Sequence, residues 1–361
     1  MRLVVDLSER TFEKLRRLKE DAKLGDKPWE DYFKHLTRGV SLVEGQSERI
    51  HRATQETLFK LWTENLIMNV PEIIDYGKYP EVKEVNSIGT LAKHSGKPAL
   101  VIGAGPSIYK YGHIQLLSEH PSDRLCLFLC DRMLIPCLRG GVTPDRFPNF
   151  YVASVDGNRD KIVKWFDDPV VDKWAGQVTG LFASTVAPNA LQRFKKAGGR
   201  VKFFHGMVDS FWQVDSVTSM MNFMTGSTCL ACGGNVGGTC FTLAYYLECE
   251  PVILCGLTYG YEPETPIEET AYYHTFKEAG QPMLIESMSK GFMKEGFNPD
   301  FGTPYKIDLV FQSYKDAFLE MAEQATRAKP SLRIINATEG GSLHGAYITG
   351  MRLKDCLEKY A

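Results

Sequence analysis

The stretch PALVIGAGPSIYKYG, Pro98 to Gly112, decides how the rest of the chain is read. Ala99, Leu100, Val101 and Ile102 form an apolar strand that enters a tight Gly103-Ala104-Gly105 turn, and Pro106 and Ser107 then open a helix. Small residues let backbone approach a ligand, and the first amides of a helix have no partners inside it. Those amides and the positive end of the helix dipole suit a phosphate. Proline in the first helical turn gives up an N–H that would be unpaired anyway, and Ser107 adds a hydroxyl. Gly103, Ala104, Gly105, Pro106 and Ser107 are therefore candidate nucleotide-binding residues. A turn of this kind also serves as plain architecture, so its meaning rests on its surroundings.

From Lys97 onward, strand and helix patterns alternate, which predicts an α/β fold: a Rossmann-like, mostly parallel sheet with helices on both faces. Strands are expected at Ala99–Ile102, Leu125–Cys130, Phe150–Val155, Gln177–Ala183, Val201–Phe204, Pro251–Cys255 and Leu332–Asn336. Helices are expected at Arg159–Phe166, Ala187–Ala197, Val236–Leu247 and Tyr305–Arg327. A helical N-terminal region precedes this domain, with Ser8 capping Glu9–Ala22 and further helices over Trp29–Leu42 and Ser47–Met68. A connector over Tyr79–Ser95 places the boundary near residue 90, giving regions 1–90 and 91–361. The leading region holds no constellation of chemistry and reads as a helical cap or a contact between copies of the chain.

Active sites of open parallel sheets lie beyond the carboxyl ends of the strands. Here those ends carry the Gly103–Ser107 turn, Asp131, Asp156-Gly157-Asn158, Ser184-Thr185, His205, Gly256-Leu257-Thr258 and Asn336 to Gly341. Each has an ordinary role as a cap or turn former, but their accumulation favours a site. A second glycine-rich segment, Gly233-Gly234-Asn235-Val236-Gly237-Gly238-Thr239, opens another apolar helix and adds Gly234, Asn235, Val236 and Gly237 to the nucleotide candidates, with Gly256 and Thr258. Close helix–strand packing is the plainer reading of those glycines. Asp131 and Asp156 suit Mg²⁺, which takes one or two carboxylates together with phosphate oxygens. Asn158 or Glu339 is a candidate for orienting an acceptor, and Arg132 and Arg159 for meeting developing charge. His205, His274 and His344 are candidate bases, and Glu262–Gly280 is long enough to form a lid.

The bulk properties exclude several classes. A formal net charge of -2 over 361 residues leaves no basic footprint for nucleic acid. No apolar run approaches the ~18 residues of a membrane span, and MRLVVDLSERTF lacks a signal-peptide core, so a cytoplasmic protein is expected. Nine scattered cysteines fit a reducing compartment. Cys229-Leu230-Ala231-Cys232 has no second ligand pair nearby, which favours ordinary thiols over metal or redox work. A dinucleotide dehydrogenase is disfavoured, because Ile108 stands where the third glycine of GxGxxG belongs.

GAGPSI, Cys130-Asp131, GGVTPDRFPNFYVASVD ending at Asp156, GGNVGGTCFTLAYYLECEPVILCGLTYGY and NATEGGSLHG together resemble the 6-hydroxymethylpterin diphosphokinase MptE-like family over Lys97 to Gly345. The resemblance implies a Rossmann-like nucleotide-phosphate site. It implies Mg²⁺-dependent diphosphate transfer from ATP to a hydroxymethylpterin-like alcohol. Through the related motility accessory factors, its second implication is a glycosyltransferase using a nucleotide-activated, sialic-acid-like sugar. The partners implied are a nucleotide and a small-molecule acceptor. Family members carry Gly-x-Asp after the late strand, whereas this chain has Gly256-Leu257-Thr258. The missing carboxylate moves that role to Asp131, Asp156 or Glu262, or leaves a nucleotide-binding module without catalysis.

Overall fold

Strands covered on both faces read as unbroken apolar runs, and ALVI, CLFLC and VILC are such runs. In a computed structural model of the chain they are fully or almost fully buried. The structure describes residues 58–75, 83, 84, 86–209, 216–225, 229–270, 273, 274, 277 and 293–361. Eight strands form one sheet: β1 Ala99–Ile102, β2 Cys126–Cys130, β3 Asn149–Ser154, β4 Thr179–Ala183, β5 Arg200–Phe204, β6 Val252–Cys255, β7 Ile334–Asn336 and β8 Ile348–Gly350. Their order is β8-β7-β6-β1-β2-β3-β4-β5, and every neighbouring pair is parallel. The chain winds outward from β1 to β5, then returns to place β6 on the other side of β1. That reversal opens a crevice between the carboxyl ends of β1 and β6.

The pleat sends alternate side chains to two cores. Leu100, Ile102, Leu127, Leu129 and Ile253 join Phe166, Phe182 and Phe194 on one face. Ala99, Val101, Cys126, Phe128 and Leu254 join Phe241 and Phe318 on the other. Phe241 lies on the helix Val236–Tyr246 and Phe318 on Leu309–Ala328, and their rings stand 5.0 Å apart, so these two helices cover that face together.

The chain divides into compact units Met1–Thr54 and Gln55–Ala361. The expected helices Glu9–Ala22 and Trp29–Leu42 lie outside the described residues, whereas residues 58–73 are helical and extend past Met68. This helix sends Leu66 and Ile73 into the core of the sheet domain. Its buried amides clamp the loops after β3 and β4. Asn65 Nδ2 donates to the carbonyls of Gly157 (2.9 Å) and Thr185 (3.2 Å), and Asn69 Nδ2 to those of Ser184 (3.0 Å) and Val186 (2.9 Å). The unit Gln55–Ala361 thus includes this helix, whose i, i+4 asparagines place two amides on one face.

One expectation is corrected. Tyr305 does not begin a helix: Thr303–Ile307 pairs antiparallel with Lys294–Asn298, and Asp308 Oδ1 accepts the Phe311 amide at 2.8 Å to start the helix at Leu309. The edge strand β8 and the hairpin carry no strong strand pattern of their own. Residues Asn86 and Ser87 run beside β5, where the Phe203 amide donates to the Asn86 carbonyl at 2.6 Å, so that edge is shielded. Among the described residues, no helix is long and apolar enough to cross a membrane.

The β1–β6 crossing sets a sharp requirement on Gly256. At φ +71° it takes a left-handed conformation, and a Cβ there would stand 2.4 Å from the Gly103 carbonyl oxygen. Gly302, at φ +65°, has nothing within 4 Å of the same point. Gly302→Ala should therefore cost about 1–2 kcal/mol, the left-handed penalty alone. Gly256→Ala should cost roughly 3 kcal/mol or more, because backbone must also move. Urea titration of the two variants checks the difference; equal losses would show that the crossing tolerates a side chain.

Candidate nucleotide site at the strand reversal

The reversal brings the two glycine segments together on Leu257. A Cβ on Gly103 would lie 2.6 Å from Leu257 Cδ1, and one on Gly237 would lie 3.2 Å from Leu257 Cγ. Both segments reach this residue because each lacks a side chain there. The Gly103 amide donates to the Cys255 carbonyl and the Gly105 amide to that of Gly256, each at 2.8 Å. The glycine amides are therefore structural. The amides of Ala104 and Ser107 carry no hydrogen bond among the described residues. Ser107 is buried, and its Oγ has no hydrogen-bond partner among the described residues. In the second segment Asn235 is the helix cap: its Oδ1 accepts the Gly238 amide at 2.9 Å and the Tyr259 hydroxyl at 3.0 Å, while its Nδ2 donates to the Gly233 carbonyl. Capping at Gly238 leaves the amides of Val236 and Gly237 without hydrogen bonds among the described residues. Gly234, at φ +73°, faces the ring of Tyr314.

Beside these turns stand the two aspartates. Asp131 follows β2 and is almost wholly buried; its Oδ2 accepts the Ser154 hydroxyl at 2.7 Å and its Oδ1 the Arg132 amide at 2.8 Å. Burial lifts its pKa from the usual 3.8 to about 6, and the negative charge of Asp156 adds to the rise against those two hydrogen bonds. Asp156 is exposed beyond β3, where its Oδ1 accepts the Asn158 amide at 2.8 Å. Burial, and then the charges of Asp308 and Asp156, raise the Tyr314 hydroxyl as well. Asp156 thus lies within electrostatic reach of both Asp131 and Tyr314. Two carboxylates at adjacent strand ends form an oxygen donor set that suits a hard cation held partly by phosphate. Among the described residues, no group of three or more His, Cys, Asp or Glu is placed to hold a metal unaided.

Other expected residues have different work. Asn158 Oδ1 accepts the amides of Asp160 (3.1 Å) and Lys161 (3.0 Å), capping a short helix. Glu339, at φ +61°, caps the helix Leu353–Tyr360 by accepting the Leu353 amide at 3.1 Å. The same oxygen lies 3.1 Å from His113 Nε2, and His113 Nδ1 lies 3.1 Å from Cys255 Sγ. Burial pulls His113 toward its neutral form against the opposing pull of Glu339, and burial pushes the Cys255 thiol up. A neutral ring donating from Nε2 leaves Nδ1 to accept the thiol proton. Arg159 Nε donates to Asn65 Oδ1 at 2.9 Å, and the Arg132 guanidinium lies over the Trp165 ring. His205 is buried after β5, His274 is exposed and His344 is half-buried. The expected lid over Glu262–Gly280 lies in part outside the described residues. Cys229 and Cys232 are both pushed up to about 11 by burial, so neither thiol is activated.

Thr258 packs against Gly105: a Cβ there would meet Thr258 Oγ1 at 2.7 Å. Beyond it lies a narrow cleft of about 20 Å³, lined among others by Pro106, Tyr111, Tyr261, Glu262 and Thr303. Lys110 Nζ donates to Glu262 Oε1 at 2.8 Å at this end of the sheet. Thr303 and Tyr314 stand outside every motif of the sequence, whereas the i, i+4 spacing of Asn65 and Asn69 was a visible signal.

An open, all-parallel sheet with helix-opening turns at its reversal defines a Rossmann-like α/β protein. More narrowly, the family described as 6-hydroxymethylpterin diphosphokinase MptE-like matches residues 64–264, and the chain belongs to that family. It is also similar to an uncharacterized protein of Treponema pallidum (strain Nichols), with 28% identity over 125 residues, 33% of this chain and 52% of the relative. The chain thus spans about half the length of that curated relative. No solved structure matches.

The buried Asp131 gives a signed pH dependence. Its folded pKa lies above the unfolded value, so the unfolded state releases the proton first, and stability falls as pH rises from about 4 through about 6. The loss should be on the order of 3 kcal/mol. Asp131→Asn, which cannot ionise, should remove that part of the slope. Denaturation of both proteins from pH 4 to 8 checks this, and parallel curves would show that Asp131 is not held protonated.

Proposed function

We propose that the protein is a nucleotide-dependent transferase that moves diphosphate from ATP to a hydroxymethylpterin-like alcohol. The observation that carries the reading is the convergence of the two glycine segments on Leu257, with unengaged amides at Ala104, Ser107, Val236 and Gly237, beside Asp131 and Asp156. Family membership supports transfer chemistry on phosphate. In this reading the amides hold phosphate oxygens, with the helix dipole behind them. The acceptor hydroxyl oxygen bonds to the β-phosphorus as its bond to the oxygen bridging to the α-phosphorus breaks. AMP leaves with that electron pair, and the hydroxyl proton passes to solvent.

Asp131 and Asp156 would hold Mg²⁺, which neutralises charge on the phosphates when bound. The loose transition state requires little of a base, so most of the rate comes from position. With Thr258 after β6, these two aspartates take the place of that carboxylate in this reading.

Gly105 makes a poor probe, because a Cβ there would strike the Gly256 carbonyl oxygen at 2.6 Å. The exposed Asp156 is the better one. Calorimetric titration with ATP, AMP, CMP and UDP-sugars, each with and without Mg²⁺, should show tightest binding to ATP with Mg²⁺. Asp156→Asn should weaken that binding about tenfold, about 1.4 kcal/mol, and leave metal-free binding nearly unchanged. Equal weakening in both conditions would remove the metal-holding role. A preference for CMP or a sugar nucleotide would replace diphosphate transfer with glycosyl transfer.

A further inference from the structure

Two residues expected to orient an acceptor, Asn158 and Glu339, are engaged in capping helices. The acceptor needs another partner, and the cleft beside the first glycine turn holds one. Thr303 Oγ1 is buried and has no hydrogen-bond partner among the described residues. It lines the cleft together with Pro106 and Thr258, which belong to the β1 and β6 ends where the phosphates are placed. A buried hydroxyl without a partner is costly, and a bound hydroxyl removes that cost.

We infer that this cleft is the acceptor subsite: it receives the alcohol arm of a small, flat, polar ring compound, and Thr303 Oγ1 is the hydrogen-bond partner of that alcohol. The inference rests on the transferase reading for its choice of an alcohol. The walls fit the class. Pro106, Tyr111, Tyr261 and Pro304 offer flat apolar surface, and the narrowness of the cleft admits an arm more readily than a whole ring. Tyr111 is 37% exposed, so the ring portion has an aromatic surface at hand outside the cleft. Tyr261 is held by its hydroxyl, which donates to Asp308 Oδ2 at 2.6 Å, so that wall is fixed. The Lys110–Glu262 ion pair adds a carboxylate and an ammonium for polar ring atoms. Thr303 lies beyond residue 264, where the family match ends, so this contact belongs to the part of the chain outside the matched region.

Thr303 sits on a hairpin strand paired with Asn298, a position where valine keeps both shape and strand preference. The test is fluorescence titration of 6-hydroxymethylpterin into the full chain, with a non-hydrolysable ATP analogue and Mg²⁺, for wild type, Thr303→Val and Thr303→Ser. Thr303→Val should weaken pterin binding about five- to tenfold, Thr303→Ser should restore most of it, and the ATP analogue should bind all three alike. Pterin binding that ignores Thr303→Val, or that is absent from wild type while the ATP analogue binds, overturns the subsite. Pterin binding that depends on Thr303 in a protein that ignores the ATP analogue keeps the subsite and overturns ATP as the donor.

Discussion

The structure depends on one close approach of backbone to backbone. Where β1 and β6 end, Gly103 and Gly105 donate to the carbonyls of Cys255 and Gly256, and no side chain fits between the two segments. Everything nearby is registered to that contact. Leu257 then lies against both glycine turns, and its amide donates to Thr338 Oγ1 at 3.3 Å. The Thr258 carbonyl accepts the Ser342 amide at 2.8 Å, and Tyr259 reaches Asn235. Four consecutive residues after β6 thus tie the ends of β1 and β7 to the start of the helix Val236–Tyr246. Backbone hydrogen bonds at such short range fix the width of the crevice.

The same geometry explains the electrostatics. Asp131 is buried because β2 is an interior strand whose end is covered, and Ser154 from β3 reaches it across the parallel ladder. A carboxyl placed there is destabilised in its charged form, and the charge of Asp156 adds to that. The remainder of the fold compensates through two large apolar cores. The His113–Glu339–Cys255 chain is the opposite case. Its buried polar groups satisfy one another and fasten the helix His113–Glu119 to the C-terminal helix, with no group left for chemistry.

Much of this was legible along the chain. Seven of the sheet's strands announced themselves, because strands buried on both faces must be continuous apolar runs, and the glycine turn with Pro106 and Ser107 marked the first crossover. Asp131 and Asp156 were visible as acidic residues just past strand ends. Strand β8 and the hairpin over residues 294–307 were not, since their stability comes from partners distant in sequence rather than from their own pattern. The helix expected from Tyr305 began at Leu309 because hairpin pairing and the Asp308 cap outweighed local propensity.

The sequence by itself determined the class of fold, the alternation of apolar runs with turns, and which residue types stand at the strand ends. Periodicity and the small size of glycine are local properties, readable one segment at a time. The tertiary structure alone decided which of those residues do the same work. It joined two glycine segments through Leu257, turned Asn158 and Glu339 into helix caps, engaged the glycine amides, and set Thr303 beside the first turn. Those outcomes depend on strand order and on the reversal between β1 and β6, which bring together residues more than a hundred positions apart.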